Sequence, residues 1–340
     1  MLMCVPKWLN YYNMNSKAKP RLIYQHDDHP SFVIPWVRPM VDQYFELVPY
    51  DPNTEYNTHS DFVLVTYASR ELKSWYRPLV DRGHGLVVDH LWDSDVALTP
   101  RRGQREITLY CPNWMWYLAC IEFSFHGYET YRPDRQRQHA FLMLMNHSRW
   151  HRDALFSMLY NVLPYAIYSY NHRGIEIAGD KAPDVNVPWQ RYMNPAWYDT
   201  TAFSVVAESY MRNTIDVPRD LYTEVSEKIF KPLAYFHPFV VAGSVDTLKY
   251  LHSQGFESYD TWFDESYDAI KNDRIRLATV ATEIDRATWS WHRGEIGWDA
   301  ETVRRTEHNH ALLFDHSTVM PRVYREIIEP VLEFCECYEP

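Results

Sequence analysis

Short apolar runs alternate with polar segments along the 340 residues of the chain. Short runs of this kind, with helical or loop segments between them, are typical of a mainly parallel sheet that is covered by helices. A polar, arginine-rich stretch from Tyr131 to His139 divides the runs into two series, and we expect a linker there. The first series predicts strands at residues 22–25, 44–48, 62–67, 85–89 and 107–110, and the second predicts strands at residues 140–145, 165–170, 203–207, 239–242 and 256–259.

The length of the chain exceeds what one ordinary hydrophobic core needs, so the fold class we predict is α/β with two Rossmann-like domains. The first domain is predicted to span residues 1–135 and the second residues 136–285. Residues 286–340 are predicted to form a C-terminal helical extension that packs across both domains. A long helical pattern at Arg274–Trp298 leads into this extension.

Composition and charge limit the possible classes of function. The net charge of −11 opposes non-specific binding to nucleic-acid phosphates, because such binding depends on lysine and arginine. The sequence contains no run of about 20 apolar residues that could span a membrane. We therefore expect a cytoplasmic protein that makes no membrane contact. Five cysteines without a C-x-x-C pair predict neither a disulfide framework nor a zinc site.

Two charged residues follow strands of the second series. Apolar residues with helical spacing predict a helix that begins near His151, so Arg152 lies in the first turn after the strand at 140–145. Glu208 ends the strand at 203–207. Phosphates bind at the carboxyl ends of parallel strands and at helix N-termini, which makes Arg152 a candidate phosphate ligand. Without further support, the simpler interpretation of Arg152 is a surface arginine paired with a nearby acid, and that of Glu208 is a cap at the strand end.

A third motif carries a resemblance to a known family. The run YTEVSEKIF at Tyr222–Phe230 contains Ser226 as a predicted helix N-cap and is closely followed by PFVVAG at Pro238–Gly243. Together with FSVVAES at Phe203–Ser209, these runs resemble the donor-binding signature of the α1,3-fucosyltransferases. The segments Leu251–Phe256 and Asp264–Asp268 resemble a pattern of the phage and giant-virus relatives of that family. The resemblance implies that Glu227 binds the ribose hydroxyls of a sugar nucleotide and that Lys228 binds its diphosphate.

The same family carries an upstream arginine that contacts the diphosphate, and the helix start at His151–Leu159 matches its pattern. The resemblance therefore implies a donor-binding set with one further cation and several polar residues. This chain has serine where the family usually has Asn or Thr, which leaves the nucleotide and the sugar open. The predicted donor-binding residues are Asn146, Arg152, Glu208, Ser226, Glu227 and Lys228.

The candidate general base comes from the first series of strands. The segment RLIYQHDDHP at Arg21–Pro30 resembles the family's loop that carries a catalytic Glu, and the match places Asp27 at that position. A carboxylate in this role would remove a proton from the acceptor hydroxyl. Asp61, Asp89 and Asp93 also lie at or after strand ends, so they remain alternatives.

The resemblance implies a glycosyltransferase of the GT-B type, a hexosyl- or pentosyltransferase. It would move a sugar from a UDP- or GDP-sugar to an acceptor hydroxyl, with inversion and without a metal ion. No cofactor is predicted apart from this sugar-nucleotide co-substrate, and the acceptor would be a glycan or a modified DNA base. If the protein is viral, its site of action would be the host cytoplasm.

Three other functions are weighed against this one. A phage-type DNA-modifying glycosyltransferase that acts on hydroxymethylated pyrimidines would need a basic face, for which Arg101, Arg102 and Arg105 are candidates. A non-catalytic sugar-binding protein would account for the 16% aromatic content, but it would not need the charged residues above. The letters EHNH at Glu307–His310 match a nuclease motif, but they lie in a polar stretch outside the hairpin that this motif needs.

Overall fold

The computed structural model describes residues 19–25, 32, 34, 37–66, 75–89, 106–109, 111, 113–177, 194–209, 211 and 225–338. The chain divides into two compact units. Unit 1 combines residues 1–125 with residues 315–340, and unit 2 contains residues 126–314. The chain is therefore an α/β protein with one parallel sheet in each unit, whereas the predicted division at residues 135 and 285 remains a prediction.

Unit 1 contains a five-stranded parallel sheet with the strand order β2-β1-β3-β4-β5. Its strands are short and apolar because both faces of a parallel sheet are covered. Leu22 of β1, for example, is fully buried and pairs with Leu47 on one side and Phe62 on the other. The strands are β1 (Arg21–Tyr24), β2 (Glu46–Pro49), β3 (Asp61–Thr66), β4 (Leu86–Asp89) and β5 (Glu106–Leu109), and the helices are α1 (Arg38–Val41), α2 (Arg77–Asp81) and α3 (Trp114–Phe125).

Unit 2 contains a four-stranded parallel sheet with the order β7-β6-β8-β9. All seven residues of β8 are buried, which explains its continuous apolar sequence TAFSVVA. The strands are β6 (His139–Met145), β7 (Ala166–Tyr170), β8 (Thr201–Ala207) and β9 (Phe239–Ala242), and the helices are α4 (Trp150–Met158), α5 (Pro195–Thr200), α6 (Glu227–Ala234), α7 (Thr247–Ser253), α8 (Asp273–His292) and α9 (Ala300–Leu313).

The last part of the chain belongs to unit 1 and is helical. A π-helical turn joins two α-helices there, so the segment runs as one nearly continuous helical stretch. Within unit 1, the helix that opens this segment packs against α3. The segment consists of α10 (His316–Val323), the π-turn (Tyr324–Ile328) and α11 (Glu329–Cys337).

Two predictions about elements of unit 2 are wrong. Residues 256–259 do not form a strand, because side chains hold their backbone: Asn309 Oδ1 accepts from Glu257 N at 2.8 Å, and a Glu265 oxygen accepts from Tyr259 N at 2.8 Å. The long helix α8 ends at His292 and does not reach Trp298. Gly294 ends it, since this glycine adopts a left-handed conformation with φ of 70°. The other predicted strands are present within one or two residues.

Candidate functional site

The candidate site lies at the carboxyl ends of β6 and β8. The chain leaves β6 to form β7 on one side and later returns to form β8 on the other side. A reversal of this kind separates the loops after the two strands and opens a crevice, which is where α/β sheets bind ligands. A cavity of about 310 Å³ lies at this position in unit 2. Its charged and amide side chains include Asn146, Arg149, Arg152, Glu227, Lys228 and Lys231.

Arg152 joins the ends of the two strands. It is the third residue of α4, and its guanidinium is almost fully buried. Its Nη1 donates to the carbonyl of His147 at 3.2 Å, while its Nη2 donates to the carbonyls of Ala207 and Glu208 at 3.1 and 2.9 Å. Burial lowers the pKa of Arg152, yet guanidinium remains charged in proteins. Its Nε is also buried and has no hydrogen-bond partner among the described residues.

Glu208 forms the wall behind the cavity. Its carboxylate is 1% exposed and accepts hydrogen bonds from the backbone N–H groups of Ser209 and Ser226, each at 3.1 Å, and from the Ser226 hydroxyl. Burial raises the pKa of this carboxyl above its ordinary value. Because these bonds connect the end of β8 to the start of α6, Glu208 fixes where that helix begins.

The first residues of α6 present a cation and a carboxylate to the cavity. Ser226 is the N-cap, as predicted, and its hydroxyl accepts from Lys228 N at 3.4 Å. The Lys228 ammonium donates to Ser209 Oγ at 3.0 Å, to Ser226 Oγ at 3.3 Å and to Glu227 Oε1 at 2.8 Å. Burial raises the pKa of Glu227, but Lys228 and Lys231 outweigh that effect, so its pKa lies below the ordinary value.

The charge around the cavity is positive although the whole chain carries −11. Four cations, Arg149, Arg152, Lys228 and Lys231, line it, against the single carboxylate of Glu227 among the described lining residues. The N-terminus of α6 adds partial positive charge in the same place. Such a surplus favours an anionic ligand, and backbone N–H groups at a helix start suit phosphate oxygens.

His151 is a residue that the sequence did not single out. It is 1% exposed, and its Nε2 donates to the carbonyl of Glu208 at 3.0 Å, beside the bond from Arg152 to the same oxygen. Burial lowers the pKa of His151 to about 4, so the ring is neutral near pH 7. In the sequence, only its position next to Arg152 in the first turn of α4 indicated a role for His151. Its hydrogen-bond partner, the Glu208 carbonyl, is 57 residues away and could not be predicted.

The structure brings together part of the predicted donor-binding set. Asn146, Arg152, Glu227 and Lys228 line the cavity. Glu208 and Ser226 bond to each other in its wall and are not among the lining residues. Lining residues that the sequence did not single out include Arg149, Asn171, Trp197 and Lys231.

Several predicted residues lie elsewhere. Asp61 is the first residue of β3, so it lies at the amino end of the sheet, where its buried carboxylate pairs with Arg21. It is therefore not presented from the carboxyl end, as a rival base would be. Asp89 is the last residue of β4. The residues Asp27, Asp93, Arg101, Arg102 and Arg105 lie outside the described part of the chain.

The nuclease-like letters at Glu307–His310 lie inside α9. Asn309 is buried and donates to the carbonyl of Glu257 at 2.7 Å, and His310 stacks on Phe236 with ring centroids 3.9 Å apart. Both side chains therefore make structural contacts within unit 2. Among the described residues, no group of three or more His, Cys, Asp or Glu could hold a metal ion. None of the described helices has the length and apolar character that a membrane crossing needs.

No protein-family model matches the chain, and no curated protein sequence matches it. Three solved α1,3-fucosyltransferase structures are similar in fold: one described without a ligand (10% identity, TM-score 0.45), one with GDP-fucose (9%, 0.39) and one with GDP (11%, 0.42). They cover 92%, 91% and 92% of this chain and 95%, 96% and 95% of their own. At these values the function must be inferred from the site itself.

Proposed function

We propose that the protein is a glycosyltransferase that moves a sugar from a nucleotide-diphosphate donor to an acceptor hydroxyl. One observation carries the proposal: Lys228, Glu227, Arg152 and Asn146 converge on one cavity at the point where the strand order of unit 2 reverses. A non-catalytic sugar-binding site has no need for this surplus of cations. A diphosphate leaving group needs it, because charge develops on the phosphates as the bond to the sugar breaks.

Each residue has a proposed role in donor binding. Lys228 exchanges its bond to Ser209 or Ser226 for a diphosphate oxygen, and Glu227 accepts from the ribose hydroxyls. Arg152 holds the ends of β6 and β8 through three carbonyls, and its unpartnered Nε adds positive charge beneath the phosphates. Glu208 and Ser226 do not contact the donor in this proposal. They bond to each other and so fix where α6 begins, which positions Glu227 and Lys228.

The finer parts of the proposal follow the sequence resemblance. Units 1 and 2 would be the two Rossmann-like domains of a GT-B enzyme, with Asp27 as general base. Transfer would invert the anomeric centre and would need no divalent ion, because the side-chain cations and the start of α6 neutralise the diphosphate. The protein would work in the cytoplasm, on a UDP- or GDP-sugar.

The experiment is a thermal-shift screen of UDP-, GDP-, CMP- and dTDP-sugars, followed by a transfer assay with the best binder. A donor that binds only the folded protein raises its melting temperature by mass action. We expect one nucleotide class to stabilise the protein and Lys228→Ala to lose the shift. The control, Lys249→Ala, removes an exposed lysine at the start of α7 and should keep it. If no sugar nucleotide shifts the melting temperature of wild type, the proposal is wrong.

The metal requirement is tested separately in the same transfer assay. We expect full turnover in the presence of a chelator. Loss of activity that Mn²⁺ or Mg²⁺ restores would contradict the metal-independent mechanism while leaving the donor site intact.

A further inference from the structure

Unit 2 contains a second cavity, of about 420 Å³, that plays no part in the proposed donor site. It is bordered by Arg132 and Arg135 from the arginine-rich stretch, by Glu307 and His310 from α9, and by Phe236 just after α6. It thus combines two arginines, the two carboxylates of Glu129 and Glu307, and aromatic rings around one space. The sequence predicts a linker in the arginine-rich stretch, whereas in the structure the stretch belongs to unit 2 and packs Arg135 and Arg137 on Trp298.

Arg135 is held in place without using its hydrogen-bond donors. Its guanidinium lies over the indole of Trp298 at 4.6 Å from the ring centroid. The indole is itself fixed, since its Nε1 donates to the Ala202 carbonyl at 3.2 Å and Arg137 stacks on it at 4.0 Å. Among the described residues, the Arg135 side chain makes no hydrogen bond or ion pair, and its Nε is buried. A guanidinium positioned this way is preorganised to form a bidentate contact with an anion.

The aromatic wall of this cavity is strained. Phe236 has a φ of 53°, a left-handed conformation that is rare and strained for a bulky residue. Its ring stacks on His310 at 3.9 Å, and His310 contacts Phe314 at 4.8 Å. The His310 ring also bonds through Nδ1 to the Ala234 carbonyl at 3.0 Å. The last residue of α6 therefore anchors an apolar surface beside the two arginines.

We propose that this cavity is a second ligand site, which takes a saccharide that bears a carboxylate or a phosphate. The acid group pairs with Arg135 and Arg132, the hydroxyls donate to Glu307, and the apolar face of the sugar packs on Phe236. Glu307 attracts Arg135 electrostatically but accepts no hydrogen bond from it among the described residues, so the guanidinium donors can bind an external anion. The site does not depend on the proposed transferase activity.

Calorimetric titration of the full chain tests the site, with glucuronic acid and glucose 1-phosphate as probes and glucose as the neutral reference. We expect saturable binding of at least one acidic probe and none of glucose; which acid binds identifies the carboxylate or the phosphate as the ligand group. Arg135→Gln should weaken this binding at least about tenfold, the loss of one charge-assisted contact. Arg293→Gln, an exposed arginine of the same unit that pairs with Glu295, should bind as wild type does.

Three results would overturn the proposal. The first is no binding of either acid, and the second is equal binding of glucose. The third is acid binding that disappears in Lys228→Ala, because the probe would then occupy the nucleotide cavity. If Arg135→Gln fails to fold, the affinity of Arg135→Lys for the acidic probe is measured instead. This variant keeps a cation near Trp298 and removes the planar guanidinium that forms bidentate contacts. Unchanged affinity in Arg135→Lys would also contradict the role of the planar guanidinium.

Discussion

Two charged clusters lie at opposite ends of parallel strands in this protein. In unit 1, the carboxylate of Asp61 lies at the amino end of β3 and is fully buried. It accepts from Arg21 Nη1 at 3.1 and 3.0 Å, from Asn57 N at 2.8 Å and from Ser60 Oγ at 3.1 Å. Because these donors occupy both of its oxygens, Asp61 joins β1 to β3 and to the turn before β3, and it has no capacity left for a ligand.

The cluster in unit 2 has similar charges and a different outcome. Lys228 and Glu227 lie beyond the carboxyl end of β8, are half-buried and line a cavity. The Lys228 ammonium donates to two serine hydroxyls and one carboxylate. A phosphate oxygen can take the place of any of these acceptors. The end of the strand on which a charged pair lies therefore distinguishes a structural ion pair from a candidate binding site.

The largest effect is expected for Asp27. Asp27 comes three residues after Tyr24, the last residue of β1. If Asp27 is the general base, Asp27→Asn should lower turnover by about 10²- to 10⁴-fold and leave donor affinity nearly unchanged. Steady-state kinetics and donor titration measure the two quantities. The matched control is Asp28→Asn, which should keep most of the activity; a comparable loss in both variants would remove the assignment.

Lys228 gives the next effect. Lys228→Ala removes a cation aimed at the diphosphate, and a charge-assisted contact is worth about 1.5 to 3 kcal/mol. Donor affinity measured by calorimetry should therefore fall roughly ten- to hundredfold. Lys249→Ala serves as control because that lysine is 77% exposed and, among the described residues, pairs with Asp246 alone, at 3.8 Å. Wild-type affinity in Lys228→Ala would place the diphosphate elsewhere.

Asp61 should show the reverse behaviour. Asp61→Asn replaces an acceptor oxygen with an N–H₂ group that faces other donors, so the unfolding free energy should fall by about 1 to 3 kcal/mol. Donor affinity should stay the same. Chemical denaturation and donor titration test both statements, with Asp42→Asn as control, since Arg38 and Asp42 form an exposed pair of little energetic value. A loss of donor affinity in Asp61→Asn would contradict the purely structural role that we assign to the Asp61 cluster.

The smallest effect concerns pH. The pKa of His151 is about 4 in the folded protein and about 6.5 when unfolded, so the unfolded chain binds more protons between these values. Stability is therefore full above pH 6.5 and is lost as the pH falls towards 4. Between pH 7 and pH 5 this loss is on the order of 1 to 2 kcal/mol. Denaturation at the two pH values should show a smaller loss in His151→Gln than in wild type.

The exposed His59 provides the control for the pH experiment. His59→Gln should lose as much stability as wild type between pH 7 and pH 5. If His151→Gln and wild type show the same loss, protonation of His151 does not contribute to it.

Sequence predicted most of the fold because buried parallel strands leave a strong apolar signal. The runs at β6, β8 and β9 could be found without any tertiary information. The segment FESY at Phe256–Tyr259 was also predicted as a strand, although only its two aromatic ends are apolar; its backbone partners are side chains such as Asn309, which is 52 residues away from Glu257. Periodicity contains no information about such a partner, so the strand prediction failed there.

The candidate site was predictable in part. Lys228 stands out because it opens a capped helix, and Lys231 could have been found as well, since residues three apart lie on the same side of a helix. Most contacts of Arg152 could not be predicted, because two of its three acceptors are backbone carbonyls 55 and 56 residues away. Carbonyl groups have no signature in the sequence, and only the fold places them.

Hydrogen–deuterium exchange with and without the best-binding sugar nucleotide tests the location of the donor site most directly. The proposed site predicts slower exchange at residues 146–152 and 225–231, where backbone N–H groups at two helix starts border the cavity. Residues 57–66, which contain the Asp61 cluster, should not change. Protection confined to other segments, at a donor concentration that saturates the protein, would contradict the assignment of the donor to the carboxyl edge of the unit 2 sheet.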